Sequence, residues 1–229
     1  MNTVVITGAS RGLGAEFCRQ YAAEGWTVIG GCRDPQGADL PDTVRLLPLD
    51  VEEAGAVRAF AVALAGRPVD VLINNAGIMG DPAASALAAN ADEWDRAFRI
   101  NVRGPALVTR ALLANLKAAS RPVAVTMGSE AGIFDRIDSA QLAIYRSTKA
   151  AAHAVTRSLG HALKDEGVLY YSLRPGRTRT DMTGGEGDHT AADSVARMRD
   201  VIANAREDWR GLFIDRSGVV YDYGGGFAG

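Results

Sequence analysis

The feature that most constrains this chain is its beginning. Residues 3–7, Thr-Val-Val-Ile-Thr, are an apolar β-branched run. They pass directly into Gly8-Ala9-Ser10-Arg11-Gly12-Leu13-Gly14, and a helical pattern starts inside that loop. A strand that turns through glycines straight into a helix leaves few architectures open. The glycines let the backbone approach a pyrophosphate closely, and the helix N-terminus offers free N–H groups and the positive end of a dipole. The rest of the chain repeats the alternation. Strands are expected at 3–7, 27–31, 44–47, 69–74, 123–127, 168–173 and 212–214, each apolar nearly throughout. Helices are expected at 12–24, 52–65, 92–119, 147–165 and 192–204. Apolar strands alternating with helices predict a doubly wound parallel sheet covered on both faces, α/β in class. At 229 residues the chain reads as one domain, with no linker or repeat. The Gly224-Gly225-Gly226 run reads as a flexible end or a turn.

Composition removes several function classes. The net charge of -2 implies no polybasic face, so no nucleic-acid partner is expected. Cys18 and Cys32 form no CxxC pair, and no disulfide framework or metal constellation is read. The N-terminus lacks a basic segment followed by an apolar one, and no apolar run is long enough to span a bilayer, so no membrane association is expected and the reading is cytoplasmic.

The second strand addresses the choice of nucleotide. NAD binders place an acid near its end for the ribose 2′-OH, and NADP binders place an arginine there. This chain has Gly31-Cys32-Arg33-Asp34, with Cys32 where the acid is expected. Arg33 and the loop residue Arg11 together would suit a 2′-phosphate, which points to NADP(H) rather than NAD(H). The competing reading has Asp34 in the NAD role. Asp50-Val51 after the third strand would flank the adenine, and Asp50 also reads as a cap for the helix expected at 52.

Far downstream, Tyr145 and Lys149 stand four residues apart. On a helix they share one face, about 6 Å apart along the axis. An ammonium beside a phenol favours the phenolate and is expected to lower the tyrosine pKa, which suits a general acid or base.

Thr7-Gly8, Gly12-Leu13-Gly14, Asn74-Asn75-Ala76-Gly77, Asn101, Ser129, Tyr145-x-x-x-Lys149 and Pro175-Gly176 occur in that order. Together they resemble the classical short-chain dehydrogenase/reductase family over nearly the whole chain. The short length, Tyr145-Arg146 and Gly211-Leu212-Phe213-Ile214-Asp215 look most like its C-factor and sniffer-type carbonyl reductase branch. The resemblance implies a single-domain Rossmann-type fold. It implies Tyr145 as proton donor or acceptor, and Lys149 lowering the Tyr145 pKa while binding the nicotinamide ribose. Ser129 would hold the reacting oxygen, and Asn101 would hold a relay water. The cofactor would be lined by Gly8, Ser10, Arg11, Gly12, Leu13, Gly14, Arg33, Asp50, Val51, Asn75, Ala76, Gly77, Pro175, Gly176, Thr178 and Thr180, together with Tyr145 and Lys149. The hydride would leave from the pro-S face of the nicotinamide. A homodimer or homotetramer is implied as well. Plainer readings stand beside these: Ser129 as a strand-end cap, Asn101 as a backbone-bonding residue, Pro175-Gly176 as a turn, and His153, His161 and His189 as structural or surface residues.

This chain departs from the family pattern in three places. The stretch between Ser129 and Tyr145 is long, with extra residues at 135–139. Thr178 replaces a usual aliphatic residue. The glycine-rich segment 181–193 reads as a mobile lid. The expected activity is NADP-dependent hydride transfer to or from a carbonyl or alcohol carbon, in a pocket made apolar by Ile78, Met79, Ile133, Phe134 and Met182. Arg177 and Arg179 leave an acidic substrate open. The rivals are a C-factor-like nucleotide-binding signalling protein and a sugar epimerase or dehydratase of the extended family.

Overall fold

Residues 3–7 become a fully buried strand close to the centre of the sheet. The computed structural model describes residues 1–221, and the Gly224–226 run lies outside the described residues. The strands are β1 (Thr3–Thr7), β2 (Thr27–Cys32), β3 (Val44–Pro48), β4 (Val71–Asn74), β5 (Val123–Met127), β6 (Leu169–Arg174), β7 (Phe213–Asp215) and β8 (Val220–Tyr221). They form a single sheet ordered β3-β2-β1-β4-β5-β6-β7-β8. All described pairings are parallel except β7 with β8. The chain winds outward from β1 to β3, then returns to β4 on the other side of β1. That reversal opens a crevice beyond the carboxyl ends of β1 and β4, where open α/β sheets bind ligands.

Successive strand residues face opposite ways. Val4 and Ile6 therefore pack with Phe17 and Tyr21 of α1 (Gly12–Ala23) and Val195 and Met198 of α7 (Ala191–Ala203). Val5 faces the other layer, with Phe60 of α2 (Ala54–Ala63) and, further along it, Val108, Leu112 and Leu163. Two buried faces explain why the strands read as continuous apolar runs.

Four expectations about elements need correcting. The single helix expected over 92–119 is α3 (Ala91–Phe98), a π-helical turn (Arg99–Arg103), α4 (Gly104–Ala111) and α5 (Leu113–Lys117). The break lies where the Asn101 side chain bonds to residues outside the helix, and Pro105, which has no N–H to give, opens the next segment. The helix carrying Tyr145, α6 (Ala143–Ala162), starts four residues earlier than the expected 147. Helix α2 starts two residues later than expected, because Asp50 Oδ1 accepts from Glu52 N at 3.1 Å in a preceding turn. The antiparallel strand β8 was not expected; Asp215 builds its turn, with Oδ1 accepting from Ser217 N at 2.8 Å and Val219 N at 3.0 Å.

Candidate active site

The glycine loop is fastened from across the crevice. Thr7 Oγ1 accepts from the backbone N–H groups of Asn75 and Ala76, each at 3.0 Å. Asn75 Nδ2 donates to the carbonyls of Thr7 at 2.9 Å and Gly8 at 3.2 Å. Gly8 has φ +67, and a Cβ on it would lie 2.9 Å from Ala76 Cα. A Cβ on Gly14 would collide with the Gly8 carbonyl and lie 2.6 Å from Asn75 Nδ2. The glycines therefore bring the start of α1, strand β1 and the 75–77 turn together. No side chain caps the first turn of α1, so its N–H groups remain available to an anion.

A groove open to solvent, with a cavity volume of about 210 Å³, runs over this loop. Its walls include Gly8, Ser10, Arg11, Gly12, Leu13, Arg33, Asp50, Val51, Asn75, Ala76, Gly77 and Thr180, all sequence-predicted cofactor residues. Cys32, Leu49, Ile78, Ile100, Asp181 and Met182 also line it. Leu49 and Ile100 were missed, because an apolar wall residue has no signal beyond that of any core residue. Arg33 faces the groove, whereas Asp34 does not. Asp34 Oδ1 instead accepts from Gln36 N at 3.0 Å in a local turn. Arg11 leans across the groove, its Nη1 3.5 Å from Asp181 Oδ2 with both side chains exposed. A dinucleotide fits this surface: a cradle that a Cβ would fill, an uncapped helix end and a guanidinium, that of Arg33, on the groove wall.

The other predicted residues gather beside the groove, at the ends of β5 and β6. Tyr145 and Lys149 lie in the first part of α6, and Ser129 follows β5. The Ser129 hydroxyl engages the Tyr145 phenol. It also accepts from Ala131 N at 3.2 Å, so it caps the short 3₁₀ turn Glu130–Gly132 as well. Lys149 is buried and donates from Nζ to the Met127 carbonyl at 2.7 Å. Burial lowers its pKa from 10.5 to about 8.

The expected lowering of the Tyr145 pKa is not found. Burial raises the phenol above its ordinary range, and the Ser129 hydrogen bond opposes this only in part. The Lys149 ammonium sits on a backbone carbonyl, 5.5 Å from the centre of the Tyr145 ring. Burying an anion outweighs a charge held at that distance.

Asn101 is buried in the π-helical turn. Its Oδ1 accepts from Ile78 N at 2.9 Å, and its Nδ2 donates to Ile78 O at 2.8 Å and Thr148 Oγ1 at 3.0 Å. Both amide protons are committed, so the side chain ties the 75–78 turn to α6. Pro175 and Gly176 follow β6 but do not line the groove, and the Thr178 hydroxyl is turned away from it. Thr178 is buried against α7, its Oγ1 2.7 Å from Ser194 Oγ. The glycine-rich segment after Thr180 is folded rather than featureless. Thr183 and Thr180 form a capping box, Asp188 N donates to Arg177 O at 2.8 Å, and Arg179 Nε donates to Gly187 O at 3.1 Å. The longer stretch at 135–139 is held by Arg146, which reaches Arg136 O at 3.0 Å and Asp138 Oδ1 at 2.9 Å. Phe134 and Met182 are exposed; Ile133 is buried.

His153, read as structural or surface, is buried, with its Nε2 2.9 Å from the Ser129 carbonyl. The signal was in the sequence: 145, 149 and 153 continue one spacing of four along one helix face.

Among known proteins, residues 2–191 match the family described as short chain dehydrogenase. C-signal of Myxococcus xanthus is 39% identical over 164 residues, covering 71% of this chain and 98% of that protein. Carbonyl reductase from chicken fatty liver, solved with NADPH bound, is 27% identical with a TM-score of 0.87, covering 96% of this chain and 98% of that one. The Drosophila melanogaster carbonyl reductase Sniffer is 25% identical with a TM-score of 0.87, also covering 96% and 98%. With the site geometry, these matches make the chain a member of the short-chain dehydrogenase/reductase family, an oxidoreductase of its C-factor and Sniffer branch.

Proposed function

We propose that this chain is an NADP-dependent carbonyl reductase acting on an apolar ketone or aldehyde. The observation that carries the reading is a glycine-loop groove that Arg33 faces and Asp34 does not, with Tyr145 and the buried Lys149 four residues apart on α6. When bound, the nicotinamide supplies the hydride. Gly8, Gly12 and the uncapped turn of α1 would hold the pyrophosphate, Arg33 and Arg11 the 2′-phosphate, and Asp50 and Val51 the adenine side. Binding a 2′-phosphate through Arg11 requires the guanidinium to leave Asp181, an exposed pair worth little.

Ser129 would donate to the substrate oxygen and hold it against the phenol. Tyr145, kept protonated by burial, would give that oxygen its proton as the carbon becomes an alcohol. Lys149 would offset the charge left on the phenolate. Asn101 would position the 75–78 turn and α6. Ile78 and Met182 on the groove wall support an apolar substrate.

The test is NADPH oxidation across a panel of carbonyl classes, with wild type and Tyr145→Phe. Turnover with at least one apolar carbonyl is expected, falling roughly 10²–10⁴-fold in Tyr145→Phe while NADPH still binds. Near-wild-type turnover in that variant refutes the proton donor. The similarity to C-signal supports a second reading, a nucleotide-binding signalling protein; NADPH binding with no turnover on any carbonyl would favour it.

A further inference from the structure

We infer that His153 is a positioning residue for Ser129, a third rung on the helix face that carries Tyr145 and Lys149; this rests on the reading of Ser129 and Tyr145 as the reacting pair. The three side chains grip one short stretch of chain. The Ser129 hydroxyl lies near enough the Tyr145 phenol to hold its pKa down in part, Lys149 Nζ donates to Met127 O at 2.7 Å, and His153 Nε2 lies 2.9 Å from Ser129 O. A carbonyl oxygen only accepts, so Nε2 carries the proton and the tautomer is set by its partner. Ser129 O also accepts from Gly132 N at 3.1 Å. Its carbonyl is thus held by two donors while its hydroxyl faces the phenol.

The surroundings fit an imidazole closely. A Cβ on Gly128 would lie 3.0 Å from His153 Cε1, and one on Gly132 would lie 2.9 Å from His153 Cδ2. The Phe213 ring packs against the imidazole, with centroids 4.3 Å apart. Burial and the nearby Lys149 charge keep the ring neutral, lowering its pKa to about 4. The two glycines admit the ring edge, and the ring fixes the peptide from which the Ser129 side chain projects.

The experiment compares His153→Leu, which removes the donor, with His153→Gln, which can present an amide N–H near the Nε2 position. His153→Leu should lower kcat about tenfold, the loss of roughly one hydrogen bond, with the NADPH Kd unchanged. His153→Gln should recover most of that loss. In a Ser129→Ala background, His153→Leu should cost nothing further, because the residue acts through Ser129. An equal loss in both backgrounds, or a lower melting temperature with kcat intact, overturns the inference. A readout without turnover separates this from the carbonyl reductase reading. Hydrogen exchange at the Ala131 and Gly132 amides, which close on Ser129, should quicken about tenfold in His153→Leu and slow again in His153→Gln. Unchanged exchange refutes the positioning role whatever the substrate proves to be.

Discussion

Tyr145 and His153 are both kept uncharged by burial, through opposite shifts in pKa. For Tyr145 burial keeps the phenol protonated, which suits donation to a carbonyl and opposes the reverse reaction. Alcohol oxidation needs the phenolate. Its rate should therefore climb with pH and still be climbing at the ordinary phenol pKa, as read from initial rates against pH with NADP. For His153 the consequence is stability. Its pKa falls from 6.5 to about 4 on folding, so between those values the unfolded chain holds the extra proton. Stability is then complete above pH 6.5 and is lost as the pH falls toward 4, by about 3 kcal/mol from this residue. Denaturant melts at pH 7 and pH 4.5 should show this, and His153→Gln should remove that part of the acid sensitivity. At the cofactor end, Arg33→Ala should weaken NADPH binding by on the order of 1.5–3 kcal/mol and leave NADH nearly unchanged. An equal loss for both cofactors in a titration would remove Arg33 from the 2′-phosphate site.

The glycine loop depends on its glycines for two different reasons. Gly12 needs its backbone angle: φ is +56, while a Cβ there would still be 3.9 Å from Thr180 Cγ2. Gly14 needs empty space, because a Cβ would run into Gly8 and Asn75. Gly12→Ala should cost about 1–2 kcal/mol, the penalty of the left-handed region. Gly14→Ala should cost about 1–3 kcal/mol, the range for overpacking, and should also lower NADPH affinity by pushing α1 off the loop. Thermal melts with NADPH titrations separate the two. The π-helical turn at Arg99–Arg103 belongs to the same scale. Its residues carry ordinary helix propensity, and the break is caused by a hydrogen-bond partner more than twenty positions earlier, Ile78.

At the scale of the molecule, the sheet order brings the loops after β1, β2, β3, β4, β5 and β6 to one edge, and every proposed function falls there. The opposite edge carries a second cavity lined by Arg121, Arg199 and Asp200, to which no chemistry is assigned. No helix among the described residues is long and apolar enough to cross a membrane. Helix α6 leaves Ala154 and Ser158 exposed on its outer side, and Phe98 at the end of α3 is partly exposed. Small residues permit close helix approach, so a dimer or tetramer of closed symmetry is the expected state in solution. Light scattering at micromolar concentration checks this, and a monomer would count against it.

The sequence by itself determined the fold class, the strand–glycine–helix start and the candidate reacting residues. These signals are local: the period of apolar residues, a glycine where a Cβ cannot fit, and a spacing of four on one helix. Only the tertiary structure decided what depends on partners far apart in the chain. Asp34 is drawn into its own turn, leaving Arg33 to face the groove. Thr178 turns inward to Ser194, and Asn101 gives both its amide protons to Ile78 and Thr148. The Tyr145 pKa rises where its neighbour in sequence predicted a fall. Desolvation depends on everything that surrounds a group, and four residues of sequence contain only one of those neighbours.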